Sequence, residues 1–235
     1  MAYDFQGLVN DVLLEVNEST LDTETEFNAA VGFHKWVKNA VNWAINYIYF
    51  EEDCEWPFAK VNGTVTCTIG QGDASTPLTL ATAASYDWDS FYIPYMTGFT
   101  YPEQRRLPWI TLNDYRANAF DSDMNNLNTT TAFTTKPRNI VRAQDNKLII
   151  TPLPDAAYDI NYEYFAYPVP LINATDTTLI PEMYRGVIGI GALYRVYRFR
   201  SDLEMANITL DDFKDQINQM RRLLIPQEES IRFVG

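Results

Sequence analysis

Two strand-like segments and the helix that follows them limit the architecture more than any other feature of this chain. Asn146-Lys-Leu-Ile-Ile-Thr-Pro-Leu-Pro-Asp155 and Tyr158-Asp-Ile-Asn-Tyr-Glu-Tyr-Phe-Ala-Tyr-Pro168 alternate in polarity and meet at a Pro-Leu-Pro-Asp turn. After a Pro/Asn/Thr loop comes Pro181-Glu-Met-Tyr-Arg-Gly-Val-Ile-Gly-Ile-Gly-Ala-Leu193, which is helical in pattern. The first fifty residues are helical in pattern too. A β segment is therefore held between helices from the two ends of the chain.

At the N-terminal end, Phe5, Leu8, Val9, Val12, Leu13 and Val16 form one apolar stripe, which predicts a helix over residues 4–17. A second helix is predicted over residues 24–50, with Phe33, Trp36, Val37, Ala40, Val41, Ala44, Tyr47 and Ile48 on its apolar side. Asp22 or Thr23 is placed to cap it. Pro57 ends the helical run. Helix returns at residues 181–199 and again at residues 210–224. There Thr209 and Asp212 resemble a capping box, and Arg221 and Arg222 suit the negative end of the helix dipole. Pro226 stops that helix and leaves a ten-residue tail.

Between the helical ends the texture is β. Val61, Val65, Cys67 and Ile69 alternate with polar residues between the turn signals Asn62-Gly63 and Gly70-Gln-Gly72. Leu78–Leu80 and Phe91–Ile93 are short strands. A small helix is expected over residues 113–120, capped by Asn113 or Asp114. Residues 121–135 read as an exposed loop. Ile140-Val-Arg and Leu148-Ile-Ile flank a hairpin turn at Asp145-Asn146.

Composition bears chiefly on partners. With 18 basic and 31 acidic residues, the formal net charge is −13. Tight DNA binding draws its affinity from neutralised phosphates and is not expected of such a surface. No apolar run approaches the ~20 residues needed to cross a bilayer. The opening Met1-Ala-Tyr-Asp-Phe-Gln lacks a basic n-region and an apolar h-region, so no secretory signal is expected. Cys54 and Cys67 are the only cysteines, and they read as reduced thiols.

No constellation in the sequence supports catalysis. His34 is the single histidine and has no companion ligands for a metal. Asp121-Ser-Asp123-Met-Asn125 begins like a calcium loop. It has Asn126 where glycine is needed and Ala132 where a bidentate glutamate belongs. Gly186, Gly189 and Gly191 lie within a helical pattern, not at a strand-to-helix turn. Close approach of a neighbouring helix accounts for them better than a dinucleotide does. The acidic pairs Asp87/Asp89 and Asp211/Asp212 invite a glycosidase reading, but nothing sets them across a cleft. The run containing Tyr86, Trp88, Phe91 and Tyr92 is a candidate interface and, as an alternative, a sugar-binding platform. The Asn-X-Ser/Thr sequons at Asn17, Asn62, Asn128, Asn173 and Asn207 follow from an Asn- and Thr-rich composition.

With these residues placed in order, the chain resembles the head-to-tail adaptor, or connector, proteins of tailed bacteriophages, of the tail tubular protein A type. Phe5–Val16 is similar to the opening helix of that family. Trp36-Val-Lys-Asn-Ala and Trp56-Pro-Phe58 resemble its second helix and the aromatic exit. Lys136-Pro-Arg-Asn, Leu148–Asp155, Tyr158 and Tyr162–Pro168 resemble the late β segment, followed by Leu171, Asp176, Ile180-Pro181-Glu182 and Gly191-Ala192. Between Ala117 and Thr135 no family motif is present. The resemblance implies a ring, usually twelve-fold, between the capsid portal and the tail nozzle, with DNA passing through its lumen. It implies no catalytic residue, no cofactor and no metal.

The expected fold class is α+β: a helical bundle from the N- and C-terminal helices, with an inserted, mostly antiparallel β subdomain. The expected divisions are residues 1–56 and 179–225 for the bundle, 57–178 for the β subdomain and 226–235 for an extended tail. The expected function is a non-enzymatic structural virion protein at the head–tail interface, assembled in a bacterial host's cytoplasm without membrane association. Its expected partners are its own copies, the portal protein, the nozzle protein and genomic DNA in transit. A carbohydrate-binding module is the alternative, and a tail-associated glycosidase ranks last. Ile231, Arg232, Phe233 and Val234 are the expected docking residues. A solvating tail would not carry two large apolar side chains on one side of an extended segment.

Overall fold

The computed structural model describes residues 3–51, 55–72, 76–94, 105–118, 134–143 and 146–225. Its elements make an α+β fold that divides into two compact units. One contains the chain up to Ala59 and from Pro168 onward, and the other runs from Lys60 to Tyr167.

The first unit is helical. Helix α1 (Phe5–Glu15) is capped by Asp4, whose carboxylate accepts from the Gly7 amide at 2.8 Å. Its apolar stripe, from Phe5 to Leu13, is buried as its spacing predicts. The residues predicted to form one long second helix form two, α2 (Glu24–Asn28) and α3 (Gly32–Phe50). The break follows from Gly32, which adopts φ +58°, a left-handed conformation that no continuous helix allows. Thr23 caps α2 in a full capping box with Glu26. At the far end of α3 the indole of Trp56 donates to the Ile48 carbonyl at 2.7 Å. This satisfies one of the carbonyls that every helix C-terminus leaves open.

Helices α5 (Arg185–Phe199) and α6 (Leu203–Leu224) complete the unit; α4 (Leu112–Asn118) belongs to the β unit below. Helix α3 packs on α5, α5 on α6, and α1 on both α3 and α5. The start predicted for the last helix is corrected by seven residues. Asp202 is its cap, accepting from the Met205 amide at 3.2 Å. Thr209 instead sits inside the helix and turns its hydroxyl back to the Met205 carbonyl at 2.7 Å. The seven residues before Leu210 are helical because Ala206 and Thr209 are buried in the bundle.

Two asparagines fasten loops onto this bundle by the same device. Asn10 donates to the Leu21 carbonyl (3.0 Å) and accepts from the Leu21 amide (2.9 Å). Asn42 does the same with Leu171 (2.9 and 2.8 Å). Each amide thereby satisfies a backbone donor and a backbone acceptor that would each cost ~1–3 kcal/mol if buried unpaired. Leu171, Ala174 and Ile180 are buried, so the strap of residues 168–180 belongs to the helical unit.

The second unit holds two four-stranded sheets. One has the order β1 (Lys60–Cys67), β8 (Tyr158–Phe165), β3 (Ser85–Ile93), β4 (Arg105–Arg106). The other has the order β2 (Leu78–Thr79), β7 (Lys147–Thr151), β6 (Asn139–Arg142), β5 (Trp109–Ile110). All pairings are antiparallel except β5 with β6. Both sheets supply one core, with Phe91 and Ile160 from the first and Leu148 and Ile150 from the second. Helix α4 (Leu112–Asn118) covers the other face of the second sheet, where Tyr115 meets Val141 and Ile149. Strand β7 is therefore buried on both faces, which explains its unbroken Leu148-Ile-Ile. Thr111, not Asn113 or Asp114, caps α4, its hydroxyl accepting from the Asp114 amide at 3.1 Å.

Two turns predicted from sequence have other roles. The Pro-Leu-Pro-Asp segment joins β7 of one sheet to β8 of the other, so it is a corner between sheets. Asn62-Gly63 lies inside β1, and Gly63 is the cross-strand partner of Tyr162. A Cβ at Gly63 would come within 2.5 Å of the Tyr162 ring. That ring cannot retreat cheaply, because it stacks on Phe91 at 5.1 Å and its hydroxyl accepts from the Ala81 amide at 2.9 Å. Gly63→Ala is therefore expected to cost about 1–3 kcal/mol by overpacking. Urea unfolding followed by tryptophan fluorescence measures it. A loss under ~0.5 kcal/mol, the range of neutral surface changes, would show that the ring yields freely.

Candidate functional site

Of the acidic and histidine residues singled out from sequence, Asp87, Asp89 and His34 have structural partners. Asp87 and Glu163 both pair with Lys60, whose ammonium is held above its ordinary pKa, first by its bond to Glu163. Asp89 pairs with Arg106 at 3.0 Å. Asp211 and Asp212 are exposed on α6. His34 uses Nε2 to donate to the Ser19 carbonyl at 3.1 Å, tying the turn after α1 to α3. Cys67 is buried, which pushes its thiol pKa up. Among the described residues there is no group of three His, Cys, Asp or Glu side chains placed to hold a metal. No described helix is long and apolar enough to cross a membrane.

The candidate aromatic surface is only partly a surface. Phe91 is fully buried and belongs to the core of the β unit. Trp88 is half-buried and stacks on it at 5.5 Å with rings 13° apart. Tyr86 donates its hydroxyl to the Ala81 carbonyl. Tyr92 is half-buried beside Asn161. Ile231, Arg232, Phe233 and Val234, Cys54 and the calcium-like run from Asp121 lie outside the described residues.

Close helix approach accounts for one of the three glycines of α5. A Cβ at Gly191 would lie 2.6 Å from Phe213 of α6 and 2.9 Å from the Ala44 Cβ of α3. At Gly186 and Gly189 it would meet nothing. These two glycines instead form the floor of an open groove of about 420 Å³ between α1 and α5. Val12, Leu14, Ile190 and Leu193 make its apolar lining, and Asp11, Glu15 and Arg185 its charged rim. Arg185 Nε donates to Asp11 Oδ2. Glu15 is exposed and makes no ion pair among the described residues.

Exposed apolar side chains occur elsewhere on the helical unit as well. Among the described residues, twelve of fifteen exposed large hydrophobics belong to the helical unit, Met183 (76%) and Leu223 (73%) among them. An aromatic row adds to it: Trp36 lies 4.8 Å from Phe199, Trp43 lies 5.5 Å from Tyr194, and Arg195 stands over both tryptophans. This surface was not read from sequence. Its signal was available in α3, where Phe33, Trp36, Trp43 and Tyr47 make a second stripe beside the buried one.

The strap of residues 168–180 braces the groove's helix α1. Asp176 accepts from the amides of Ile172 (2.7 Å) and Asn173 (2.8 Å), which hold its carboxyl below its ordinary pKa. Its backbone carbonyl accepts the first free amide of α1, at Phe5. Tyr3 donates to the Ile180 carbonyl, and its pKa is pushed up to about 12 chiefly by burial. Burial raises Tyr49 to about 12 as well.

The described residues thus offer braced loops, exposed apolar side chains and one open groove. The model of the SU10 adaptor protein family matches residues 3–231, and the chain belongs to that family. It is a structural adaptor of a bacteriophage, and so a component of the virion. Comparison with individually curated proteins returned no match.

Proposed function

We propose that the chain is one subunit of a ring, twelve-fold by resemblance, that joins the capsid portal to the tail nozzle and lets DNA through its lumen. The observation that carries this reading is the distribution of exposed apolar side chains. Large exposed apolar side chains gathered on one unit of a chain are covered when copies assemble. Among the described residues, twelve of the fifteen exposed large hydrophobics lie on the helical unit, where neighbouring copies would pack. The net charge of −13 supports a conduit that does not hold DNA phosphates. Ile231, Arg232, Phe233 and Val234 are the residues proposed to reach the portal.

The same charge sets the conditions for assembly. Copies carrying −13 repel one another at low ionic strength, where the screening length is ~30 Å at 0.01 M. The purified chain should be monomeric or weakly associated at micromolar concentration in low salt. Rings should appear on concentration, or on mixing with portal. Light scattering and negative-stain electron microscopy at low and high salt read both outcomes. A stable ring at micromolar concentration in low salt would contradict charge control. Absence of rings under every condition, portal included, would overturn the ring itself.

A further inference from the structure

We infer that the groove between α1 and α5 receives the last turn of α6 from a neighbouring copy, with Leu223 on the groove floor and Arg222 against Glu15. The inference rests on the ring reading and says which surfaces close it.

The two surfaces are complementary. The groove has an apolar lining, and Glu15 on its rim has no ion-pair partner among the described residues. The last turn of α6 presents an exposed leucine beside an exposed arginine, in a helix that is otherwise acidic at most of its exposed charged positions. An apolar anchor flanked by one cation fits a greasy slot flanked by one anion.

Their placement also suits a ring. At roughly 100° per residue, Gly191 points about 170° away from the mean direction of Arg185, Gly186, Gly189, Ile190 and Leu193 on α5. Gly191 is the point where α6 packs, through Phe213. The groove therefore opens on the flank of α5 opposite α6. On α6, Arg222 points about 170° away from the direction of Phe213, Ile217 and Met220, the buried face. Leu223 points about 90° from that buried face, so groove and knob lie on different flanks of one unit. The two helices form an antiparallel hairpin joined at residues 200–202, so Leu223 lies at the same end of the bundle as Arg185. A patch on one flank that fits a different patch on the other makes a head-to-tail contact. Such contacts close into rings, whereas a self-complementary patch stops at a dimer.

Cysteine trapping in the full chain tests this. Gly189→Cys has open space for its side chain, and Leu223→Cys is exposed. Cys54→Ser removes the other candidate thiol, and Cys67 is buried. The two variants are concentrated to the ring-forming range, mixed and oxidised, and run on a non-reducing gel. A covalent dimer that appears only in the mixture is the expected result. Independently, Glu15→Arg and Arg222→Glu should each weaken association about fivefold, and together they should restore it. Rings without a mixed cross-link overturn this interface and leave the ring reading standing. A cross-link from Leu223→Cys alone overturns it in favour of a symmetric contact. No rings at all defeats the ring reading first.

Discussion

Phe213→Ala is expected to destabilise the helical unit by about 3–5 kcal/mol, the largest stability effect of any single substitution discussed. Phe213 is fully buried where three helices meet. Its ring lies 5.3 Å from that of Tyr47 and 6.3 Å from that of Trp43, and it fills the space left by the missing side chain of Gly191. Truncation leaves a cavity that α3, α5 and α6 cannot close together, because each is held by other contacts. Gly191→Ala attacks the same junction from the other side, since its Cβ would lie 2.6 Å from Phe213. Overpacking there costs about 1–3 kcal/mol. The two changes should be coupled, because the alanine at 213 removes most of what the new methyl strikes. Urea unfolding followed by far-ultraviolet circular dichroism gives all three values. Strict additivity in the double variant, or a loss under ~1 kcal/mol for Phe213→Ala, would contradict the packing described.

Removal of residues 227–235 is expected to abolish attachment to the portal while leaving the melting temperature nearly unchanged. Helix α6 ends at Leu224, and the Ile225 amide closes its last turn on the Arg221 carbonyl at 2.9 Å. No described hydrogen bond is lost by cutting beyond that point. Burying Ile231 and Phe233 contributes ~1.5–3 kcal/mol each before ordering costs. Multiplied around a ring, that gain per copy becomes firm attachment. Co-sedimentation with portal-bearing heads measures occupancy, and scanning calorimetry measures the melt. A truncated chain that docks at full occupancy would rule out the tail as anchor.

The candidate surfaces were far less legible in sequence than the fold. The aromatic run from Tyr86 to Tyr92 drew attention because aromatic residues mark interfaces. The sheets turned Phe91 inward and laid Trp88 over it. Gly186 and Gly189 looked like packing glycines because they share a helix with Gly191. Helix periodicity sends them to the other flank, and only the position of α1 turns that flank into a groove. Glu15 and Leu223 carried no signal, since an exposed carboxylate and an exposed leucine are common on any surface.

What the sequence determined alone was set by local forces. Apolar spacing specifies a helix or a strand wherever one face is to be buried. That is why α1, α5 and the β6–β7 hairpin fall where their patterns put them. The α+β class followed from the order of those patterns. Tertiary structure decided what depends on a distant partner. Gly63 is a strand residue because Tyr162 occupies its missing side chain. Helix α6 starts at Leu203 because Ala206 and Thr209 find burial against the bundle, which outweighs the weak helix propensity of Asn207, Ile208 and Thr209. The physical reason is common to both. A few tenths of a kcal/mol of local preference yields to the larger free energy of burial, and burial exists only once the distant segment has arrived.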